Sequence, residues 1–401
     1  MKVWPAGWML AAAVCLAIGT GVAAGAGKKG AKKSDGPAAA EQVPEAKDPA
    51  KRREIPEGER ARIEKQLTEA GEKLTALQEE ELELSLKVLK AESKALDRIE
   101  DRNKLKDALT KGATSQDVVD YRNVMLACAQ QWQMMESKYA AVHRSLRYLE
   151  QKRGEMPEDL KSSAEEVVAR ILKNRRSCLE KVVTLYDKLT DDKRVLATYV
   201  AIYQMLPDDL ANLNHMATLY RKMGDYKQAL ALYTDIYRQS PKNLGNLRNI
   251  AAMYEKLGDY KKALALYTDI YRQSPKDFEN LRNMAAMCEK LGDYKKALGK
   301  YKEADEQRQE DVTNTTDLGR MYAKLGNYQQ AVAAYDKVAK KISGDTGWEK
   351  KLAGLYEEVG ALQKALTLYL KASEALSPEQ RESDKNLKQA INRLKRKLPG
   401  Q

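Results

Sequence analysis

The feature that most constrains the fold of this chain is a segment that occurs twice in succession. Residues 225–258 read DYKQALALYTDIYRQSPKNLGNLRNIAAMYEKLG, and residues 259–292 repeat them with substitutions at only six positions. Self-similarity at a fixed period of about 20 to 50 residues is typical of arrays in which each unit packs against the next. The chain is therefore predicted to build part of its structure by stacking equivalent units.

The period of 34 residues extends beyond these two copies, because four residue types recur in register across five copies. The columns are a small residue (Ala217, Ala251, Ala285, Gly319, Ala353), a glycine (Gly224, Gly258, Gly292, Gly326, Gly360), an alanine (Ala229, Ala263, Ala297, Ala331, Ala365) and a tyrosine (Tyr233, Tyr267, Tyr301, Tyr335, Tyr369). The glycines allow a left-handed turn after one helix, and the Asp or Asn that follows predicts an N-cap for the next helix.

These columns resemble the tetratricopeptide-repeat family over five copies at residues 210–379, with a degenerate copy at 176–209. The family's tryptophan is absent, and Leu213, Leu247 and Leu281 stand at that position in the first three copies. The resemblance implies an all-α superhelix, or solenoid, of helical hairpins whose first helices line a concave groove that binds extended peptides. A C-terminal helix at residues 380–401, apolar on one face only, is predicted to cap the solenoid.

The resemblance places two neighbouring columns in the groove. They comprise Asn214, His215, Arg248, Asn249, Arg282, Asn283, Thr316 and Asp317. Asparagine offers both a donor and an acceptor to a peptide backbone, and arginine beside it favours an acidic or carboxylate-bearing partner. The alternative is that duplication copied these polar residues and that they only solvate a surface.

Residues 58–175 are predicted to form a helical, coiled-coil-like region. The first helix, up to about Lys111, carries a heptad stripe of apolar residues (Ile63, Leu67, Ala70, Leu74, Leu77, Leu84, Val88, Ala91, Ala95) and a second stripe beside it (Leu82, Leu86, Leu89, Leu96). This helix either self-associates through residues 58–112 or packs against the helices that follow. A second helix is expected to about Arg153, and a third begins at Pro157.

The N-terminus predicts export. Residues 1–26 have a charged start, an apolar stretch from Trp8 to Ile18 and small residues at Ala24 and Ala26, which is the pattern of a cleaved signal peptide. The lysines that follow favour the alternative of an uncleaved membrane anchor. Residues 27–57 lack large apolar side chains and are predicted to be a disordered linker. The expected location is periplasmic or secreted.

The order of signal, coiled coil and repeats resembles, in layout only, a periplasmic cell-division coordinator family that trimerises through its coiled coil. Two functions therefore follow from the sequence. The first is an exported adaptor or scaffold that binds a protein or peptide in the groove of the repeats. The alternative is an oligomeric structural spacer or cell-envelope coordinator that acts through the N-terminal helices.

Other function classes have little support. The net charge is +12, but basic and acidic residues alternate at helical spacing, so no nucleic-acid partner is expected. With two histidines, no glycine-rich phosphate loop and no metal-ligand spacing, the chain is expected to be no enzyme and to bind no cofactor or metal. Cys128, Cys178 and Cys288 lie on apolar helix stripes and are expected to be small buried hydrophobes. Whether any of them pair is left open.

Overall fold

The computed structural model of the chain describes residues 55–99, 102–309 and 311–398. Those residues form 18 helices and no strand, which confirms the all-α prediction. They divide into two compact units, the first ending at Met216 and the second beginning at Ala217. The predicted signal peptide and nearly all of the predicted linker lie outside the described residues. No helix within them is long and apolar enough to cross a membrane.

The first unit is organised around three long helices that pack on one another. Its helices are α1 (Glu57–Leu96), α2 (Arg102–Thr110), α3 (Gln116–Ser145), α4 (Arg147–Lys152), α5 (Glu158–Lys188) and α6 (Asp192–Met205). Helices α1, α3 and α5 contact one another, and α6 packs on α5. Fully buried side chains such as Leu74, Met125 and Ile171 form the core between them. Apolar stripes on all three helices therefore cover one another within a single chain.

Helix α1 packs against helices that follow it, which is one of the two alternatives left by the sequence. The residues of its heptad stripe that become buried are Ile63, Leu67, Ala70, Leu74, Val88 and Ala95. The second stripe stays on the surface, with Leu82, Leu86 and Leu89 exposed by 66%, 54% and 62%. The first stripe needs no second copy of the chain to be covered, whereas the second stripe is uncovered in the monomer.

The prediction of one helix up to Lys111 is wrong, because α1 ends at Leu96 and α2 begins at Arg102. The buried residues explain the interruption. At 100° per residue, the ten residues from Ala95 to Leu105 fall about 80° short of whole turns, so an unbroken helix would turn Leu105 away from the core. The second helix is also shorter than predicted, since α3 ends at Ser145 and the separate α4 follows it.

Helix α5 runs without a break through residue 176, where the degenerate repeat was predicted to begin. The three-helix packing and the degenerate copy therefore share one helix. The turn between α5 and α6 has Thr190 at φ +55°, in the position where the later copies carry glycine. The chain thus keeps the left-handed turn of the repeat even where the residue best suited to it is missing.

The repeats form successive helical hairpins. The helices are α7 (Leu210–Lys222), α8 (Tyr226–Gln239), α9 (Leu244–Lys256), α10 (Tyr260–Gln273), α11 (Phe278–Lys290), α12 (Tyr294–Gln307), α13 (Val312–Lys324), α14 (Tyr328–Lys341), α15 (Thr346–Glu358) and α16 (Leu362–Glu374). The turn glycines have φ between +77° and +84°, as predicted. Asp225, Asp259 and Asp293 cap the second helices by accepting hydrogen bonds from backbone N–H groups three residues on. The prediction is wrong for Asn327, whose side chain makes no capping hydrogen bond.

The C-terminal end forms two helices where the sequence predicted a single capping helix at residues 380–401. Helix α17 (Pro378–Ser383) begins with a capping box between Ser377 and Gln380, and α18 (Lys385–Lys397) follows it. The apolar face of α18 is buried and consists of Leu387, Ala390, Ile391 and Leu394. This helix packs on α16, while its remaining face is polar and mostly basic. It therefore covers the apolar side of the last hairpin and presents a soluble surface.

Candidate binding face of the repeats

The predicted groove residues of the second unit recur on successive first helices of the hairpins. Arg248 and Asn249 lie on α9, and Arg282 and Asn283 take the equivalent places on α11, with each side chain half-buried. Asp317 lies on α13 one repeat later and is buried. We call the surface that carries these five residues the first-helix face. It presents the same pair of side chain types at positions separated by one repeat.

The arginines of the first-helix face are paired within the chain. Arg248 contacts Asp277, the N-cap residue of α11, and Arg282 donates to Asp317 at 2.9 Å. Both pairs connect one repeat to the next. The arginines therefore link neighbouring hairpins, a role that the sequence did not reveal. A carboxylate-bearing partner would meet guanidinium groups that are already partly neutralised, and the more exposed of the two is Arg248.

Arg320 is an unpredicted member of this network. It donates to Asp317 at 2.8 Å and to Glu289 at 2.9 Å, so Asp317 bridges two arginines from adjacent repeats. Burial acts to lower the pKa of Arg320, but the two carboxylates outweigh it and hold the pKa above its ordinary value. The sequence does mark Arg320 as unusual, because it places a cation in a column where the two preceding copies carry Ala252 and Ala286.

A second asparagine column is structural. It comprises Asn212, Asn246, Asn280 and Asn314, three residues before the predicted groove column, and all four side chains are buried. The Asn280 amide donates to the Tyr267 carbonyl at 3.0 Å, and the Asn314 amide donates to the Tyr301 carbonyl at the same distance. Each bond joins a first helix to the second helix before it. The sequence does not distinguish this column from the groove column, because nothing local shows which asparagine of each copy becomes buried.

The two predicted groove residues of the first unit lie on α7 and are exposed. The His215 ring stacks on the Tyr199 ring, with the ring centroids 5.1 Å apart and the planes 9° from parallel. Asn214 lies beside it. The hydrogen bond from Asn212 to the Tyr199 carbonyl, at 3.1 Å, repeats the structural contact found in the second unit. Tyr199 therefore contacts α7 twice, through the stacked His215 ring and through the hydrogen bond from Asn212.

The thiols are unsuited to nucleophilic chemistry. Cys128, Cys178 and Cys288 are all buried and unpaired in the described structure, as expected for small hydrophobic residues. Burial raises the pKa of all three thiols, and that of Cys178 rises to about 12. Because the thiolate is the reactive form, these side chains are inert near neutral pH. The described residues also hold no group of three or more potential metal ligands.

Comparison with known proteins identifies the hairpins. Residues 208–276 and residues 289–346 each match a family model described as a tetratricopeptide repeat. The chain therefore contains tetratricopeptide repeats, as the columns of its sequence predicted. Repeats of this kind serve as scaffolds for interactions between proteins, and this general function applies to the chain.

The chain is also similar to solved structures of low sequence identity. A tetratricopeptide repeat protein from Parabacteroides merdae is 18% identical, with 55% of this chain and 98% of that one covered at a TM-score of 0.43. MamA from Desulfovibrio magneticus RS-1 is 16% identical, with 41% and 93% covered at 0.38. A thermophilic TPR protein in Thermus thermophilus is 22% identical, with 46% and 98% covered at 0.36. No curated protein matches the chain.

Proposed function

We propose that this protein is an exported adaptor that holds an extended segment of a partner protein on the first-helix face. The observation that carries the proposal is the repetition of Asn249 and Asn283 at equivalent, half-buried places on α9 and α11. A side-chain amide can donate to a backbone carbonyl and accept from a backbone N–H group of a bound segment. Two such amides one repeat apart would hold that segment at two points along its length.

The ion pairs around these asparagines support the same proposal. Arg248 and Arg282 are fixed by carboxylates of the next repeat, so the side chains next to the asparagines are already ordered before a partner arrives. Preorganised side chains lose less conformational entropy on binding. Arg248 retains the larger exposed surface, and we assign to it the attraction for an acidic partner. Affinity for such a partner should fall as the salt concentration rises.

The test compares two double variants in the full-length chain. Asn249→Ala with Asn283→Ala removes the proposed contacts. Gln273→Ala with Gln307→Ala is the matched control, because those amides are exposed, lie one repeat apart and end α10 and α12. Each immobilised protein captures partners from the cell envelope, and the affinity of the captured partner is then measured in solution.

We expect the asparagine double variant to lose affinity by about tenfold or more, with the control unchanged. Each lost hydrogen bond is worth about 0.5 to 1.5 kcal/mol, so two bonds account for a loss of this size. Equal capture and equal affinity for all three proteins would place the partner elsewhere. Circular dichroism checks that both double variants keep the fold.

Export is part of the proposal and rests on residues 1–26. Intact-mass measurement of the protein from its native envelope should give a chain that begins near Gly27. A mass that retains residues 1–26 in a membrane fraction would instead identify an uncleaved anchor. Either form leaves the repeats available to a partner.

One observation favours the second function considered from the sequence. The exposed leucine stripe of α1 gives the first unit a surface through which copies of the chain could associate, as an oligomeric spacer requires. The spacer function and partner binding are compatible, because the stripe and the first-helix face belong to different units. Light scattering on the full-length chain measures the oligomeric state directly.

A further inference from the structure

Among the residues of the first unit that the structure describes, the outer face of α1 carries three exposed leucines. We call Leu82, Leu86 and Leu89 the leucine stripe, and more than half of each side chain is exposed. The spacings of four and three residues place these leucines on one line along the helix. Ser93 and Leu96 continue the same spacing. The stripe therefore has the pattern of a short coiled-coil seam, about two heptads long.

This seam is separate from the packing inside the first unit. Helices α3 and α5 cover the face of α1 that carries Leu74 and Val88. Glu81 accepts hydrogen bonds from Tyr139 of α3 and Lys181 of α5, which fixes the same face toward both helices. The leucine stripe lies about 60 to 160° around the helix from Leu74, Glu81 and Val88. A further helix can thus lie on the stripe without displacing α3 or α5 from α1.

We propose that the occupant of the stripe is the same helix of a second copy of the chain, in antiparallel orientation. A two-fold axis between Leu86 and Leu89 places Leu86 of one copy against Leu89 of the other. Leu82 then lies against the small Ser93 of the other copy. The seam is closed by the leucines at its centre and needs no residue from outside α1.

The charges beside the seam select this orientation. Glu83 and Lys90 are exposed and flank the stripe on the same edge of the helix. In the antiparallel register Glu83 of each copy lies next to Lys90 of the other, which forms two equivalent ion pairs. A parallel pair would not bring Glu83 next to Lys90 and would align the two helix dipoles. Charge complementarity is thus present only in the antiparallel arrangement.

The size of the seam sets the strength of the association. Only three half-exposed leucines per copy contribute, so the contact is at the small end of specific interfaces. We therefore expect a dimer that dissociates on dilution. The inference deepens the spacer function, which rests on the same stripe. It is independent of the adaptor function, because the stripe belongs to the first unit and the asparagine variants test the second.

The first test is sedimentation velocity on the full-length chain over a wide range of concentration. The wild type should move from monomer to dimer as concentration rises. Leu86→Glu should remain monomeric, because it places two carboxylates at the centre of the seam. Tyr328→Glu is the matched control, since Tyr328 is 55% exposed against 54% for Leu86, and it should dimerise like the wild type.

The second test examines orientation by charge reversal. Glu83→Lys alone and Lys90→Glu alone each put like charges together twice and should raise the dissociation constant by roughly tenfold. The double reversal restores both ion pairs and should recover the wild-type value. Because these residues are exposed, circular dichroism should show the same fold for every variant.

Three results would overturn the proposal. A wild type that is monomeric at every concentration, or that forms trimers, excludes the antiparallel pair. Dimerisation that survives Leu86→Glu places the interface elsewhere. Single reversals without effect, or a double reversal that fails to recover the affinity, exclude the register in which Glu83 faces Lys90.

Discussion

For the substitution Gly319→Ala, the sequence pattern of the repeats and the packing of the repeats predict opposite effects on stability. Four of the five copies have alanine in this column, so the pattern treats Gly319→Ala as a consensus substitution, of a kind that commonly stabilises. Helix propensity agrees, because alanine in a helix interior is favoured over glycine by about 0.8 to 1.0 kcal/mol. Both arguments predict a more stable protein.

The packing of α13 predicts the opposite. A Cβ atom at Gly319 would lie 2.3 Å from Cε1 and 2.7 Å from Cδ1 of Tyr335. Tyr335 is fully buried, and the Tyr356 ring packs edge-on against it with the centroids 5.6 Å apart. The ring cannot move aside freely, and overpacking of this kind costs about 1 to 3 kcal/mol. We therefore expect Gly319→Ala to be neutral to destabilising, by up to about 2 kcal/mol after the gain in propensity.

Gly299→Ala is the matched control. Gly299 lies inside α12, and no atom approaches within 4 Å of the added Cβ atom, so this change should stabilise by about 1 kcal/mol. Urea unfolding followed by circular dichroism gives the free energy of unfolding of each variant. The reasoning fails if Gly319→Ala raises the unfolding midpoint as much as Gly299→Ala does. It is supported if Tyr335→Leu makes Gly319→Ala tolerated.

Three further predictions use the same unfolding assay. Asn280→Ala should destabilise by about 1 kcal/mol, because it removes the hydrogen bond to the Tyr267 carbonyl, whereas Asn283→Ala should change little. Glu349→Leu should destabilise by about 1 to 3 kcal/mol, because it breaks the ion pair with Lys371 and leaves the Gly344 N–H group without its acceptor, and a rise in stability would refute this. For Asp384, the N-cap of α18, hydrogen bonds from the Leu387 N–H group and Lys350 lower the pKa below 3.8. The contribution of Asp384 to the free energy of unfolding is therefore complete above pH 3.8 and is lost as the pH falls through the lowered pKa. Asp384→Asn should remove this pH dependence.

Local signals in the sequence predicted the repeats. A glycine that must adopt positive φ and an aspartate that must cap a helix act within a few residues, so Gly258 and Asp259 mark the same turn in the sequence and in the structure. The hairpin packing then follows from the period alone, because each copy buries the same face as its neighbour. The residues of the predicted groove column lie on the first helices, and their binding role is still a prediction.

Long-range partners account for what the sequence did not predict. Arg282 finds its carboxylate 35 residues away, on the first helix of the next repeat, and no local pattern distinguishes it from a free cation. Helix α1 is a second example, because its sequence does not show which of its two apolar stripes α3 and α5 cover. The break after Leu96 depends on where Leu105 must lie in three dimensions. Side chains whose role depends on a distant partner are therefore the ones that sequence reasoning misassigned or missed.

The turn at Thr190 has a mechanical consequence. A threonine in the left-handed region carries a steric penalty of about 1 to 2 kcal/mol that glycine avoids. The turn between α5 and α6 is thus strained, whereas the glycines in the equivalent turns of the later copies adopt positive φ without this penalty. When the protein is heated or stretched, we expect unfolding to begin at this turn, so that α6 separates from α5 before any of the later hairpins come apart.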